Sequence, residues 1–70
     1  MNQYMLLGRL QQDCEYYLGY GNRMDKYLWA GSVEGQIRKM KEIWNSFTED
    51  AKPEWISMAD IERYERDMSI

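Results

Sequence analysis

The sequence predicts an all-α fold: a small three-helix domain with a long aromatic-containing loop between helices 1 and 2. Three observations carry the prediction. Apolar residues recur at steps of three and four along separate stretches, at about 3–18, 33–47 and 58–68, the spacing that gathers them on one helical face. Two of these stretches follow a serine, Ser32 and Ser57, whose hydroxyl can accept from an open first-turn N–H. Between the stretches lie Gly19, Gly21, Gly31 and Pro53, which favour turns over continued helix.

In the first helix Leu7, Leu10, Cys14 and Tyr17 form the inward stripe, widened by Leu6 and Leu18. Gly19 is expected to end it as a left-handed cap. Gly8 lies inside the pattern at a cost of about 1 kcal/mol relative to alanine, and it would allow another backbone to approach. The connection 19–32 is long for a small bundle. Its length is explained if Leu28 and Trp29 fold back over one end of the core, and a short extended segment at 26–30 is compatible with that. The second helix presents Val33, Ile37, Met40, Trp44 and Phe47, with Ile43 beside them, and turns Arg38, Lys41, Glu42 and Asn45 outward. Pro53 makes 48–56 a loop, from which Trp55 and Ile56 re-enter the core. Ser57 and Asp60 have the spacing of a capping box, with Ile56 and Ile61 at the staple positions around it. In the third helix Met58, Ile61, Tyr64 and Met68 face inward. Its outer face offers Glu62–Arg66 and Arg63–Asp67 as i,i+4 pairs. The expected core is thus Leu7, Leu10, Ile37, Met40, Trp44 and Ile61, with Trp29 or Trp55 closing an end.

Size and composition limit the function. Seventy residues make one domain that buries roughly 60% of its unfolded surface, so a few large aromatics must supply much of the core. The sequence holds no apolar run long enough to span a membrane. Its first residues lack the basic start and small-residue cleavage site of a signal peptide, so it is expected to act in the cytoplasm. Cys14 is the single cysteine and there is no histidine. That excludes a disulfide framework, leaves a zinc site without ligands and gives a cysteine nucleophile no partner. Cys14 is expected to be a buried, inert thiol. Gly19-x-Gly21 is not a phosphate loop, since no buried strand precedes it and no Lys-Ser/Thr ends it. No catalytic constellation emerges, and the sequence predicts no enzyme, no cofactor and no metal site.

Charge is uneven. Residues 1–48 carry six basic and five acidic residues, whereas 49–70 carry seven acids against Lys52, Arg63 and Arg66. An acidic end argues against nucleic-acid binding, which shows a basic footprint. Exposed aromatics are the better lead, because tyrosine is enriched at interface hot spots. The candidate binding residues are Tyr16, Tyr20, Glu62, Glu65 and Asp67, with one of Tyr4 or Tyr27 also expected outside. The alternative is a nucleic-acid-associated accessory domain that sets Arg23, Lys26, Arg38, Lys39 and Lys41 against phosphates. A spacer with neither activity is the third possibility.

Three segments carry a family resemblance: YYLGYGNR (16–23), LWAGSVEGQIRKMKEIWNSF (28–47) and KPEWISMADI (52–61). The chain resembles the large polyvalent protein-associated domains, most closely the eleventh group, over roughly 6–64. The resemblance implies a mobile-element protein of phages or conjugative elements, expressed around takeover of a bacterial host. It carries no catalytic residues to transfer. The lifestyle it implies suits an interaction protein whose partner is a host nuclease effector, an inhibitor of the anti-CRISPR kind.

Overall fold

A computed structural model describes residues 2–69. It contains three α-helices, α1 (Gln3–Leu18), α2 (Val33–Ser46) and α3 (Met58–Met68), and no strand among the described residues. Each connection holds one turn of 3-10 helix, Asp25–Tyr27 in the first and Glu49–Ala51 in the second. The expected extended segment at 26–30 is therefore replaced at its start by a turn.

Local chemistry accounts for where the helices begin. The Ser32 hydroxyl accepts from Gly35 N–H at 3.1 Å. Ser57 and Asp60 form the reciprocal box: Ser57 Oγ accepts from Asp60 N–H at 3.1 Å, and Asp60 Oδ2 accepts from Ser57 N–H at 2.9 Å. Asn2 caps α1 by accepting from Met5 N–H at 2.8 Å, a cap the sequence reading did not identify. At the other end of α1 the expected left-handed glycine is absent. Gly19 has φ −103°, and its N–H is shared between the carbonyls of Glu15 and Tyr16. Asn22 and Arg23 are the left-handed residues instead, with φ of 53° and 56°.

The core draws on every element. Leu7, Leu10, Cys14 and Tyr17 come from α1, Ile37, Met40 and Ile43 from α2, and Ile61, Tyr64 and Met68 from α3, with Leu28 and Ile56 entering from the connections. The expected central place of Trp44 is corrected. Ile43 is buried there, while Trp44 and Phe47 pack against the edge of the core. The stripe is rotated because α2 also buries Gln36, which pulls its inward face toward 36–37–40–43. Neither Trp29 nor Trp55 plugs an end, since they are 48% and 46% exposed. In each connection the smaller neighbour enters. Leu28 is extended (φ −92°, ψ 138°), and adjacent residues of extended backbone point to opposite sides, so Leu28 and Trp29 cannot both turn inward. Ile56 takes the same part beside Trp55.

Gln36 is the main departure from the apolar pattern. Its Oε1 accepts from Ala30 N–H at 3.0 Å and its Nε2 donates to Leu10 O at 3.2 Å. One amide thus joins α2, α1 and the first connection. Gly8 faces a ring, not a backbone: a Cβ there would lie 3.8 Å from Trp55 Cη2. No helix is long and apolar enough to cross a membrane among the described residues.

Candidate binding surface

The last turns of α1 alternate between core and surface. Tyr17 is buried with Leu10 and Cys14, so Gln11, Gln12, Glu15 and Tyr16 fall on the side turned away. With Tyr20, these four line a shallow open concavity of about 520 Å³.

The connection holds Tyr16 in place. Gly21 N–H donates to Tyr16 O at 2.7 Å. A Cβ at position 21 would lie 2.9 Å from that oxygen and 3.0 Å from the ring, so only glycine lets the chain pass here. Tyr27 meets Tyr16 edge-on with ring centroids 5.2 Å apart, and Lys26 Nζ lies 5.2 Å from the Tyr27 ring. Tyr20, in contrast, is 87% exposed.

Glu15 is fixed from the other side. The buried Tyr64 of α3 donates its hydroxyl to Glu15 Oε1 at 2.6 Å. Burial, followed by that bond, pushes the Tyr64 hydroxyl up to about 12, with a bond from Gln11 opposing. The proton therefore stays on Tyr64 through the ordinary pH range, and the carboxylate is held in one orientation.

Of the five expected site residues, Tyr16 and Tyr20 line the concavity, and Glu62, Glu65 and Asp67 are not among its lining residues. Tyr16 and Tyr20 come together. Glu65 instead pairs with Lys41 of α2 at 2.9 Å, and Asp67 lies 3.5 Å from Arg66 while its carbonyl accepts from Arg23 at 2.9 Å. Glu62 is exposed and forms no ion pair among the described residues. The expected Glu62–Arg66 and Arg63–Asp67 pairs are corrected as well, because Arg63 turns to Asp60 at 3.7 Å and Arg66 to its neighbour. Each then keeps a carboxylate within 4 Å without crossing a full turn. Glu15, Gln11 and Gln12 were missed by the sequence reading. A usable signal existed: Gln11–Glu15 and Gln12–Tyr16 are i,i+4 pairs on the uncommitted side of α1.

The cations proposed for phosphate contact are mostly engaged. Arg38 holds Glu34 at 3.0 Å, Lys39 holds Glu42 at 3.3 Å, and Lys41 and Arg23 are spoken for as above. Cys14 is buried with its Sγ 3.6 Å from Met40 Sδ. Burial foremost, then the charges of Asp13 and Glu15, push its thiol up to about 12. Among the described residues no group of three or more acidic or cysteine side chains is placed to hold a metal ion.

A second aromatic group lies by the start of α1. The Tyr4 ring lies 4.8 Å from Phe47 and 6.4 Å from Trp55, and its hydroxyl donates to Ala51 O. Lys52 lies 5.4 Å from the Trp44 ring and donates to Phe47 O at 2.7 Å.

A family model described as large polyvalent protein-associated domain 11 matches residues 1–68. No curated protein and no solved structure matches the chain.

Proposed function

This chain belongs to the large polyvalent protein-associated domain 11 family, and from that premise we propose that it is a protein-interaction domain, an inhibitor of a host defence nuclease that acts by binding. The observation that carries the reading is the surface of Tyr16, Tyr20 and Glu15. Two exposed rings flank a carboxylate that the fold already holds still, and aromatic residues on a rigid support are the usual anchors of protein interfaces. The mobile-element setting implied by the family resemblance supplies the choice of a host nuclease as partner.

The nucleic-acid alternative is the weaker reading. Phosphate binding needs free cations along a track, and Arg38, Lys39 and Lys41 each lie against a carboxylate of this chain.

The test is cleavage of target DNA by RNA-guided nucleases of bacterial hosts, with purified domain added. Wild-type domain suppresses cleavage near stoichiometric ratio, and Tyr20→Ala weakens that suppression. Undiminished cleavage across the nucleases at tenfold excess of domain overturns the inhibitor reading. Retardation of duplex DNA with a steep salt dependence would move the assignment to the nucleic-acid alternative.

A further inference from the structure

We propose that the concavity of Gln11, Gln12, Glu15, Tyr16 and Tyr20 receives an arginine side chain of the partner protein, its guanidinium on Glu15 and its flat face against a tyrosine ring. The inference rests on the interaction reading above and gives the chemistry of what that surface grips.

Charge is the first argument. Seven carboxylates of this chain hold a cation of the same chain: Asp13, Glu34, Glu42, Glu49, Asp60, Glu65 and Asp67. Among the described residues Glu15, Asp25, Asp50, Glu54 and Glu62 hold none, and of these five Glu15 is the one that lines the concavity. Its Oε1 takes the Tyr64 hydroxyl at 2.6 Å, which leaves Oε2 to accept from outside. Two guanidinium groups of the chain could compete, and both are engaged elsewhere. Arg63 lies over the Tyr64 ring at 5.3 Å and pairs with Asp60, and Arg23 donates to Asp67 O.

The rings are the second. Tyr27 and Gly21 fix Tyr16 from the side of the connection, so it cannot fold across the concavity. Tyr20 is free to close on what enters. The faces of such rings attract cations.

Arginine fits better than lysine. Its guanidinium carries five N–H donors in a rigid plane, stacks on aromatic faces and is weakly hydrated, whereas an ammonium is compact and strongly hydrated. The concavity offers acceptors spread along its length: the free oxygen of Glu15, the amide carbonyls of Gln11 and Gln12, and two phenolic oxygens. An anchored carboxylate would repel a phosphate, so the arginine comes from a protein.

The experiment titrates the full chain, labelled with nitrogen-15, with N-acetyl-glycyl-arginyl-glycinamide and with its lysine and citrulline counterparts. Citrulline keeps the shape and loses the charge. The arginine peptide shifts the amide signals of residues 11–20 saturably and binds about tenfold tighter than the citrulline peptide. Lysine falls between them. Glu15→Gln keeps an acceptor for Tyr64 and leaves the rest of the spectrum in place, yet weakens arginine binding by about tenfold. Equal affinity for arginine and citrulline, or an unchanged affinity in Glu15→Gln, overturns the proposal. The cleavage assay separates it from the inhibitor reading. If Glu15→Gln inhibits a nuclease as well as wild type, the arginine site falls and the inhibitor stands. If wild type inhibits no nuclease while the arginine peptide binds as described, the inhibitor falls and the site stands.

Discussion

The two connections of this fold are fastened by different chemistry. The first, 19–32, is held by polar bonds: Gln36 to Ala30 N–H, Asp13 to Trp29 N–H at 2.9 Å, and Arg23 to the end of α3. The second, 47–57, is held by rings, with Tyr4 against Phe47 and Trp55 and Lys52 against Trp44. The difference has a consequence for the surface. Where rings do the fastening, each spends part of its surface on another ring of the chain, Tyr4 and Trp55 staying 41% and 46% exposed. Where amides and carboxylates do it, Tyr20 and Trp29 pair with no ring among the described residues, and Tyr16 meets only Tyr27, edge-on. An exposed aromatic residue is thus informative only once its own chain's claim on it is known.

The largest expected effect tests the polar fastening. Gln36→Leu should lower stability by about 2–4 kcal/mol, because Ala30 N–H is left unpaired, at about 1–3 kcal/mol, and Leu10 O gives up its second bond, at about 0.5–1.5 kcal/mol, while keeping its helical one. Urea unfolding measures it. A loss under about 1 kcal/mol would mean the first connection is not held by this amide.

Tyr4→Ala comes next, at about 1–3 kcal/mol, since each ring pair contributes about 0.5–1.5 kcal/mol beyond its buried area. Tyr4→Phe should recover most of the loss. If Tyr4→Ala melts with wild type, the second connection is not fastened by its rings.

Alkaline pH should loosen the centre on which both connections rest. Cys14 and Tyr64 keep their protons in the folded state up to about 12, against ordinary values of 9.0 and 10.0. The unfolded chain therefore loses these protons first. Their contribution is fully present below pH 9 and declines from there toward pH 12. Denaturant midpoints against pH should fall over that window, more shallowly in Cys14→Ala. For the same reason Cys14 should react slowly with thiol reagents at neutral pH.

The smallest effect is the sharpest contrast. Tyr20→Ala should leave stability within about 0.5 kcal/mol, although it removes as large a ring as Tyr4→Ala does. A larger loss would place Tyr20 among the fastening rings.

What the sequence disclosed follows the range of each signal. The three helices, the Ser32 cap and the Ser57–Asp60 box were legible because each depends on residues within four positions. The phase of α2 was not, since the choice between Ile43 and Trp44 turns on Gln36 finding Leu10 O across 26 residues. Tyr16 and Tyr20 were legible as aromatics off the core stripe. Glu15 was not, because its orientation comes from Tyr64, 49 residues away. Counting acids in 49–70 put Glu65 on a binding face, but Lys41 of another helix had already engaged it. Composition records how many charges a segment carries and nothing of who neutralises them.

The placement of the tryptophans has a spectroscopic side. Trp29 and Trp55 are half exposed and Trp44 lies at the edge of the core beside Lys52, so every indole in the molecule already senses water when the chain is folded. Emission from this protein therefore starts red-shifted, and unfolding has little wavelength left to add. The same indoles are well placed to report contacts made from outside, Trp55 on the Tyr4 side and Trp29 by Asp13 on α1. Intrinsic fluorescence is thus a gauge of what touches this domain more than of whether it is folded.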